Sequence, residues 1–187
     1  MPRWVVIGVV LWAGAVAASV YALADYKNTP GRAALAPEGW PQESALSREP
    51  GLPTLLVVAH PRCPCTRATL TELAKIMERA RGRVTAHVLF VQHGEADPTG
   101  TELWEKASAI PGVRVSLDRG GVEAGRFDAA TSGQTVLYAA SGARLFKGGI
   151  TGSRGHEGDN AGSQAVLAQL LGAAAAAPDT DVYGCSL

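Results

Sequence analysis

Two of the chain's three cysteines, Cys63 and Cys65, flank a single proline in the stretch HPRCPCTRATL. The apolar run TLLVVAH ends just before them, and apolar residues at helical spacing begin just after. A thiol at the start of a helix faces free backbone N–H groups and the positive end of the helix dipole, which stabilise a thiolate. The position of the pair therefore predicts reactive thiols rather than inert, buried ones.

The two thiols are expected to have different roles. Cys63 would lie just outside the first helical turn, as an exposed nucleophile of low pKa. Pro64 suits that first turn, where a missing N–H costs nothing. Cys65 is placed to act as the resolving thiol, which expels a substrate from a mixed disulfide. Arg62 adds positive charge beside the pair.

The first apolar segment, residues 4–24, contains no charged side chain. At about 1.5 Å per residue, a helix of this length crosses the roughly 30 Å hydrocarbon layer of a membrane. Arg3 precedes it, which predicts a cytoplasmic N-terminus and an exported body. Ala22-Leu23-Ala24 also fits a signal-peptide cleavage site. A retained anchor is favoured because the apolar run is long, and both alternatives place the cysteines in an oxidising compartment.

The overall composition narrows the class of protein. With 17 basic and 17 acidic residues, nothing in the charge indicates a nucleic-acid partner. The length suits one domain plus an appendage. We divide the chain into an N-terminal transmembrane anchor or signal peptide (1–25), a proline-rich tether (26–50), a folded domain (51–177) and a C-terminal tail that carries Cys185 (178–187). Trp40 is either a docking point of the tether or an apolar plug that covers the sheet edge.

Hydrophobic patterning predicts the elements of the domain. Strands are expected at 54–60, 84–92 and 113–118, and a hairpin at 134–149 that turns at Ser141-Gly142. A helix follows the cysteines and stops near Gly82, and a short helix is expected after a capping box formed by Thr99 and Glu102. The segment GVEAGRF predicts a helical turn, and 161–177 a final helix. This order predicts an α/β fold, with a mixed central sheet flanked by helices.

Over roughly residues 50–175, this order resembles the thioredoxin-like fold, in particular the membrane-tethered TlpA and ResA type of the bacterial envelope. The stretches HPRCPCTRATL and SGQTVLYAASGARLFKGGITGSRGHEGDN are most similar to RedB-like proteins. The resemblance implies a thiol-disulfide oxidoreductase on the periplasmic side of the cytoplasmic membrane, with Cys63 attacking and Cys65 resolving. It also implies envelope protein dithiols and disulfides as partners, and no organic cofactor.

The chain departs from the thioredoxin pattern at two places. Thioredoxins separate their cysteines by two residues, whereas here there is one. They also carry a cis-proline before the hairpin, which helps to hold a substrate chain and keeps metals away from the dithiol. Gly133 of TSGQT stands at about that position, with Ser132 beside it. This departure leaves room for a metal.

Several alternatives therefore stay open. His60, Cys63, Cys65 and His156 together make a plausible set of ligands for copper or zinc, which would make the chain a metal-binding or delivery protein. His156 could equally belong to a structural turn in its glycine-rich loop. Cys185 is either a third redox thiol in a mobile tail, a metal ligand, or a thiol outside any relay. Peroxidase chemistry and a non-catalytic binding module complete the alternatives.

Overall fold

The structure is a computed structural model that describes residues 2–32, 34–94, 97–173 and 179–187. Within these ranges it contains five helices and five strands. The helices are Arg3–Asn28 (α1), Pro64–Arg79 (α2), Glu102–Ser108 (α3), Val122–Arg126 (α4) and Ala161–Leu171 (α5), and the strands are Thr54–Ala59 (β1), Thr85–Gln92 (β2), Val113–Arg119 (β3), Gln134–Tyr138 (β4) and Arg144–Gly149 (β5).

The five strands form one mixed sheet in the order β3-β2-β1-β4-β5. β1 pairs in parallel with β2, and β2 with β3, whereas β4 runs antiparallel to both β1 and β5. Every residue of the central strand β1 is buried. The predicted α/β fold with a mixed central sheet is confirmed, and so is the hairpin formed by β4 and β5.

Side chains on the two faces of β1 enter two separate hydrophobic clusters, as the alternation of a β-strand requires. Leu55 and Val57 pack in the larger cluster, with apolar residues of α2, α3 and α5. Leu56 and Val58 pack in the smaller cluster on the other face, with residues of α4 and of the chain before β1. The sheet is thus covered on both faces. Its central strand ends at the turn formed by residues 60–66, which contains Cys63 and Cys65 and is called the cysteine turn below.

Helix α2 begins directly after Cys63, which is its N-cap residue, and Pro64 occupies the first turn. Leu70, Leu73 and Met77 are buried on its inner face, at the spacing that predicted the helix. The helix ends at Arg79, shortly before Gly82 adopts a φ of +76°. Burial of this amphipathic face against the sheet fixes the helix N-terminus at the end of β1.

Part of the predicted tether packs on the domain. Ala36 is buried, and the Trp40 ring lies 5.1 Å from that of Phe127 and 5.3 Å from that of Tyr138, measured between centroids. Arg144 donates a hydrogen bond to the Ala36 carbonyl. Trp40 therefore covers the smaller hydrophobic cluster, as an apolar plug does.

Three details differ from the sequence-based expectations. The N-cap of α3 is Thr101, whose hydroxyl accepts a hydrogen bond from the Trp104 N–H, and not Thr99. The last helix, expected over 161–177, ends at Leu171 because Gly172 adopts the left-handed conformation. Residues 174–177 of that expectation lie outside the described residues. Helix α1 continues to Asn28, a little beyond the expected end of the anchor.

In the described part of the chain, α1 is the one helix long and apolar enough to cross a membrane. Its mean hydropathy is 2.2 in the most apolar window, and none of that window is buried inside the protein. A membrane anchor and a signal sequence share these properties. The helix could therefore serve as either.

The packing of α2 can be tested by shortening a buried leucine. We expect Leu73→Ala, at a fully buried position, to lower the free energy of unfolding by about 2–5 kcal/mol, because a cavity remains beneath α2. Leu171→Ala, at a position 48% exposed, is the matched control and should change it by less than about 0.5 kcal/mol. Denaturant titration of the full chain measures both, and equal losses would contradict the packing described.

Candidate functional site

The cysteine turn lies at the carboxyl end of β1. The Cys63 N–H donates to the His60 carbonyl at 3.2 Å, and the Thr66 N–H donates to the Cys63 carbonyl at 3.0 Å. The Thr66 hydroxyl also donates a hydrogen bond to the His60 carbonyl, at 3.1 Å. These bonds close a tight turn that presents Cys63 at the N-terminus of α2.

The loop that precedes β4 lies against this turn. Ser132 Oγ accepts a hydrogen bond from the His60 N–H at 2.9 Å and lies 3.1 Å from the Thr66 hydroxyl. The Gly133 N–H donates to the Val58 carbonyl at 2.8 Å. Gly133 has a φ of +93°, and a Cβ there would lie 3.1 Å from Thr69 Oγ1 on α2. Among the described residues no peptide bond is cis. The residue of this loop that lies against α2 is Gly133, in a left-handed conformation.

The end of the chain completes the site. The Ser132 N–H donates to the Cys185 carbonyl at 2.8 Å, and the Leu187 N–H donates to the Ala130 carbonyl at 3.1 Å. Between these bonds Thr131 and Ser186 form an antiparallel bridge. The expectation of a mobile tail is therefore wrong for residues 179–187, because backbone hydrogen bonds fix Thr180 and Asp181 to β5, and Cys185 and Leu187 to the loop before β4.

This tail places a third thiol on the cysteine turn. Cys185 Sγ lies 3.0 Å from Cys63 Sγ, although the two residues are 122 positions apart. Cys63 is only 1% exposed and Cys65 9% exposed. Cys63 is thus not the exposed nucleophile that the sequence predicted, since Cys185 and its neighbours lie over it.

The surroundings of Cys63 favour its thiolate. Burial raises the pKa of the Cys63 thiol, but four hydrogen bonds act against it and together outweigh it. The donors are the Cys185 thiol and the backbone N–H groups of Cys185, Cys65 and Thr66. The net result is a pKa below the ordinary value of a cysteine thiol, as expected for a sulfur at a helix N-terminus.

The two neighbouring thiols shift in the opposite direction. Burial, followed by the charge of Cys63 and a hydrogen bond to it, raises the pKa of Cys65. Burial and the hydrogen bond to Cys63 raise the pKa of Cys185 to about 11. The positive charge of Arg154 offsets part of both shifts. Of the three thiols, Cys63 is consequently the one that ionises first as pH rises.

His60 and Arg62 shape the turn rather than reach the sulfurs. His60 Nδ1 accepts a hydrogen bond from the Arg62 N–H at 3.2 Å. Burial lowers the pKa of His60, and the nearby charges of His93 and Arg62 lower it further. A neutral imidazole with Nδ1 as acceptor fits this arrangement, while the Arg62 side chain is exposed.

His156 lies in the glycine-rich loop, where its side chain is exposed and its N–H donates to the Ser153 carbonyl at 3.2 Å. The same loop is held to α2 by the Gly158 N–H, which donates to the buried carboxylate of Glu72 at 2.8 Å. Across residues 2–32, 34–94, 97–173 and 179–187, no group of three or more His, Cys, Asp or Glu could hold a metal ion. The proposed ligand set of Cys63, Cys65 and His156 is therefore not assembled in this structure.

Arg154 is a site residue that the sequence did not single out. Its guanidinium donates to the Gly184 carbonyl, beside Cys185, and to the Tyr26 carbonyl at 3.1 Å. It also stacks over the Tyr26 ring at 4.8 Å from the centroid. One side chain thus connects the end of α1 to the tail that covers Cys63. A single arginine in a loop has no sequence pattern from which these two contacts could be predicted.

The hydrogen bond from Cys185 can be tested through the ionisation of Cys63. We expect Cys185→Ala to raise the pKa of Cys63 and so reduce its thiolate fraction at neutral pH, since a donor is lost while the Cβ remains. Cys185→Ser keeps a donor and should raise it less. The pKa of Cys63 is measured from the ultraviolet absorbance of the thiolate as a function of pH, after the titration curve of a Cys63→Ser chain is subtracted. Ser186→Ala is the control, and an unchanged titration in Cys185→Ala would refute the assigned role.

Comparison with known proteins supports the fold. No protein-family model and no curated protein matches the chain. Among solved structures, an uncharacterized conserved protein from Geobacillus kaustophilus has a TM-score of 0.60 at 17% identity, over 85% of this chain and 91% of that one. A hypothetical protein from Sinorhizobium meliloti 1021 has a TM-score of 0.59 at 21% identity, over 73% and 79%.

A further match is the exposed lipoprotein thioredoxin Etrx1 from Streptococcus pneumoniae, with a TM-score of 0.46 at 18% identity, over 65% of this chain and 85% of that one. The mixed sheet, the cysteine turn between β1 and α2, and the β4–β5 hairpin followed by α5 are the elements of a thioredoxin-like fold, in the order that the sequence predicted. The chain has a thioredoxin-like fold.

Proposed function

We propose that the chain is a thiol-disulfide oxidoreductase, in which Cys63 exchanges disulfides with other proteins of the bacterial envelope. One observation carries this proposal: Cys63 caps the N-terminus of α2, Cys65 lies in the first turn of that helix, and Cys185 Sγ lies 3.0 Å from Cys63 Sγ. A thiolate at a helix N-terminus is a nucleophile, and a neighbouring thiol lets it release a bound substrate. An inert, buried cysteine would need neither feature.

The exchange has two steps. The Cys63 thiolate attacks one sulfur of a partner's disulfide, forms a mixed disulfide and releases the partner's other sulfur as a thiolate. The Cys65 thiolate then attacks Cys63 Sγ and expels the partner's remaining thiolate, which leaves a Cys63–Cys65 disulfide. Two electrons pass from the chain to the partner, and the protons of Cys63 and Cys65 pass to the two partner thiolates. The reverse sequence oxidises a partner dithiol.

The electrostatics of the site suit this division of roles. The pKa of Cys63 is lowered, so this sulfur is available as the attacking thiolate. The pKa of Cys65 is raised mainly by burial and then by the charge of Cys63. When Cys63 enters a mixed disulfide its charge disappears, and Cys65 then ionises more readily. The second step is thus favoured by the first.

The setting of the domain is part of the same proposal. We place the domain on the periplasmic side of the cytoplasmic membrane, held by α1, as in the RedB-like proteins that its cysteine segment resembles. Arg154 contacts Tyr26 at the end of α1 and Gly184 beside Cys185, so the site would face the membrane-proximal end of the domain. Its partners would then be proteins at the membrane surface or anchored in it.

Two variants test the exchange in the full chain in detergent. We expect Cys63→Ser to abolish reduction of a disulfide-linked model protein, because the attacking sulfur is lost. The Cys65→Ser/Cys185→Ser chain should retain the first step and accumulate the mixed disulfide, because no neighbouring thiol remains to resolve it; non-reducing electrophoresis and intact mass detect this. Ser141→Ala, in the turn between β4 and β5, serves as the control and should behave as the unmodified chain.

Retained exchange activity in Cys63→Ser would disprove the proposal. The same preparations are assayed for copper and zinc. A stoichiometric metal that is lost in Cys63→Ser or His156→Ala, without any disulfide exchange in the unmodified chain, would establish the metal-binding alternative instead.

A further inference from the structure

The C-terminal tail covers the nucleophile of a protein that must reach other proteins. Residues 182–187 run along the loop before β4, with the Cys185 carbonyl and the Leu187 N–H paired to Ser132 and Ala130. Cys185 Sγ lies 3.0 Å from Cys63 Sγ. A disulfide substrate cannot approach Cys63 while this segment is in place, because Cys63 is 1% exposed.

The tail pairs with the loop before β4 in the way that an additional antiparallel strand would. Its backbone bonds to residues 130–132 lie on both sides of the Thr131–Ser186 bridge, which is the pattern of antiparallel pairing. Without the tail, the Ser132 N–H and the Ala130 carbonyl would be unpaired next to a reactive sulfur. An extended peptide binds such an edge through its main chain, largely independently of its sequence.

One position in the tail is nevertheless selective. A Cβ on Gly184 would lie 1.8 Å from the Ser132 carbonyl oxygen, so a side chain there requires the tail to move away. Only glycine lets the residue before the cysteine come this close. The surface therefore favours an extended segment in which glycine directly precedes the reactive cysteine.

We propose that residues 182–187 occupy in cis the surface that binds an extended Gly-Cys segment of a partner protein, with Cys185 as the built-in disulfide partner of Cys63. This inference rests on the proposed thiol-disulfide exchange, and it adds a substrate preference and a third redox thiol. The partner is a protein with an exposed, extended Gly-Cys segment, reduced or in a disulfide. It displaces the tail to react.

The internal step needs no added oxidant. The Cys185 thiolate attacks Cys63 Sγ of a Cys63–Cys65 disulfide, a Cys63–Cys185 bond forms, and Cys65 leaves as a thiolate that takes up the proton lost by Cys185. The number of disulfides is unchanged. A partner's cysteine thiolate performs the same attack on Cys63 when its segment replaces the tail, and it then forms the mixed disulfide.

Disulfide mapping tests the pairing. The full-length Cys65→Ser chain is equilibrated with oxidised glutathione, which supplies the oxidant, and is digested without reduction. We expect the linked peptides of Cys63 and Cys185, and we expect their loss in the Cys65→Ser/Cys185→Ser chain. Ser186→Ala in the Cys65→Ser background is the control and should keep the link. Cys63 recovered only as its glutathione adduct would overturn the pairing.

Two synthetic peptides test the surface and its preference. One has the sequence of residues 180–187, and the other has valine in place of Gly184; each carries a thionitrobenzoate disulfide on its cysteine. The full-length Cys65→Ser/Cys185→Ser chain attacks the peptide sulfur, forms the mixed disulfide and releases the coloured thiolate. We expect the glycine peptide to react about tenfold faster, because the valine peptide loses backbone hydrogen bonds to the loop. Equal rates would overturn the inference.

These outcomes separate the inference from the function beneath it. If both peptides react equally and no Cys63–Cys185 link forms, while Cys63→Ser still abolishes exchange with a model protein, the tail has no redox role and the oxidoreductase stands. If Cys63→Ser leaves exchange intact, the proposed function itself fails. A Gly184→Val full chain adds a direct readout: alkylation of Cys63 should accelerate about tenfold when the tail is displaced, and an unchanged rate would contradict the covering role.

Discussion

The site depends on one junction, at which the loop before β4 is tied to the end of β1. The Gly133 N–H bonds to the Val58 carbonyl, and Ser132 Oγ receives the His60 N–H, so two segments distant in sequence meet at the cysteine turn. The turn gives Cys63 its place at the N-terminus of α2, and the outer edge of the loop receives the tail. If these hydrogen bonds broke, Cys63 at the N-terminus of α2 and Cys185 in the tail would no longer be held next to each other.

Burial and hydrogen bonding compete at Cys63, and the tail contributes to both. Removal from water disfavours a thiolate, whereas the donors that replace water are fixed in direction and close to the sulfur. Because Cys185 provides a thiol and a backbone N–H, the group that excludes water also stabilises the charge. A reactive sulfur can thus be kept ionisable and shielded at once. Arg154 extends this arrangement towards α1 through its contacts with Gly184 and Tyr26.

Much of this fold follows from local patterns, whereas the completed site does not. The apolar run of β1, the spacing of Leu70 and Leu73 in α2 and the Ser141-Gly142 turn each contain their own signal, and those elements were predicted. Cys185 is held beside Cys63 by the backbone hydrogen bonds of a short tail. Such bonds produce no periodic pattern of apolar residues, so the sequence gives no sign of them. Ser132 was visible only as the neighbour of Gly133. Thr99 and Thr101 both suit a helix N-cap, and the choice depends on where α3 packs.

The most direct test is a redox titration of the full chain in glutathione buffers of known potential, with free thiols counted by alkylation and intact mass. We expect a single two-electron transition in which Cys63 is always one of the oxidised sulfurs, and no transition in the Cys63→Ser chain. Three cysteines that stay reduced or react one at a time with glutathione across the whole range would contradict it. That result would leave the thioredoxin-like fold without the thiol-disulfide chemistry proposed for it.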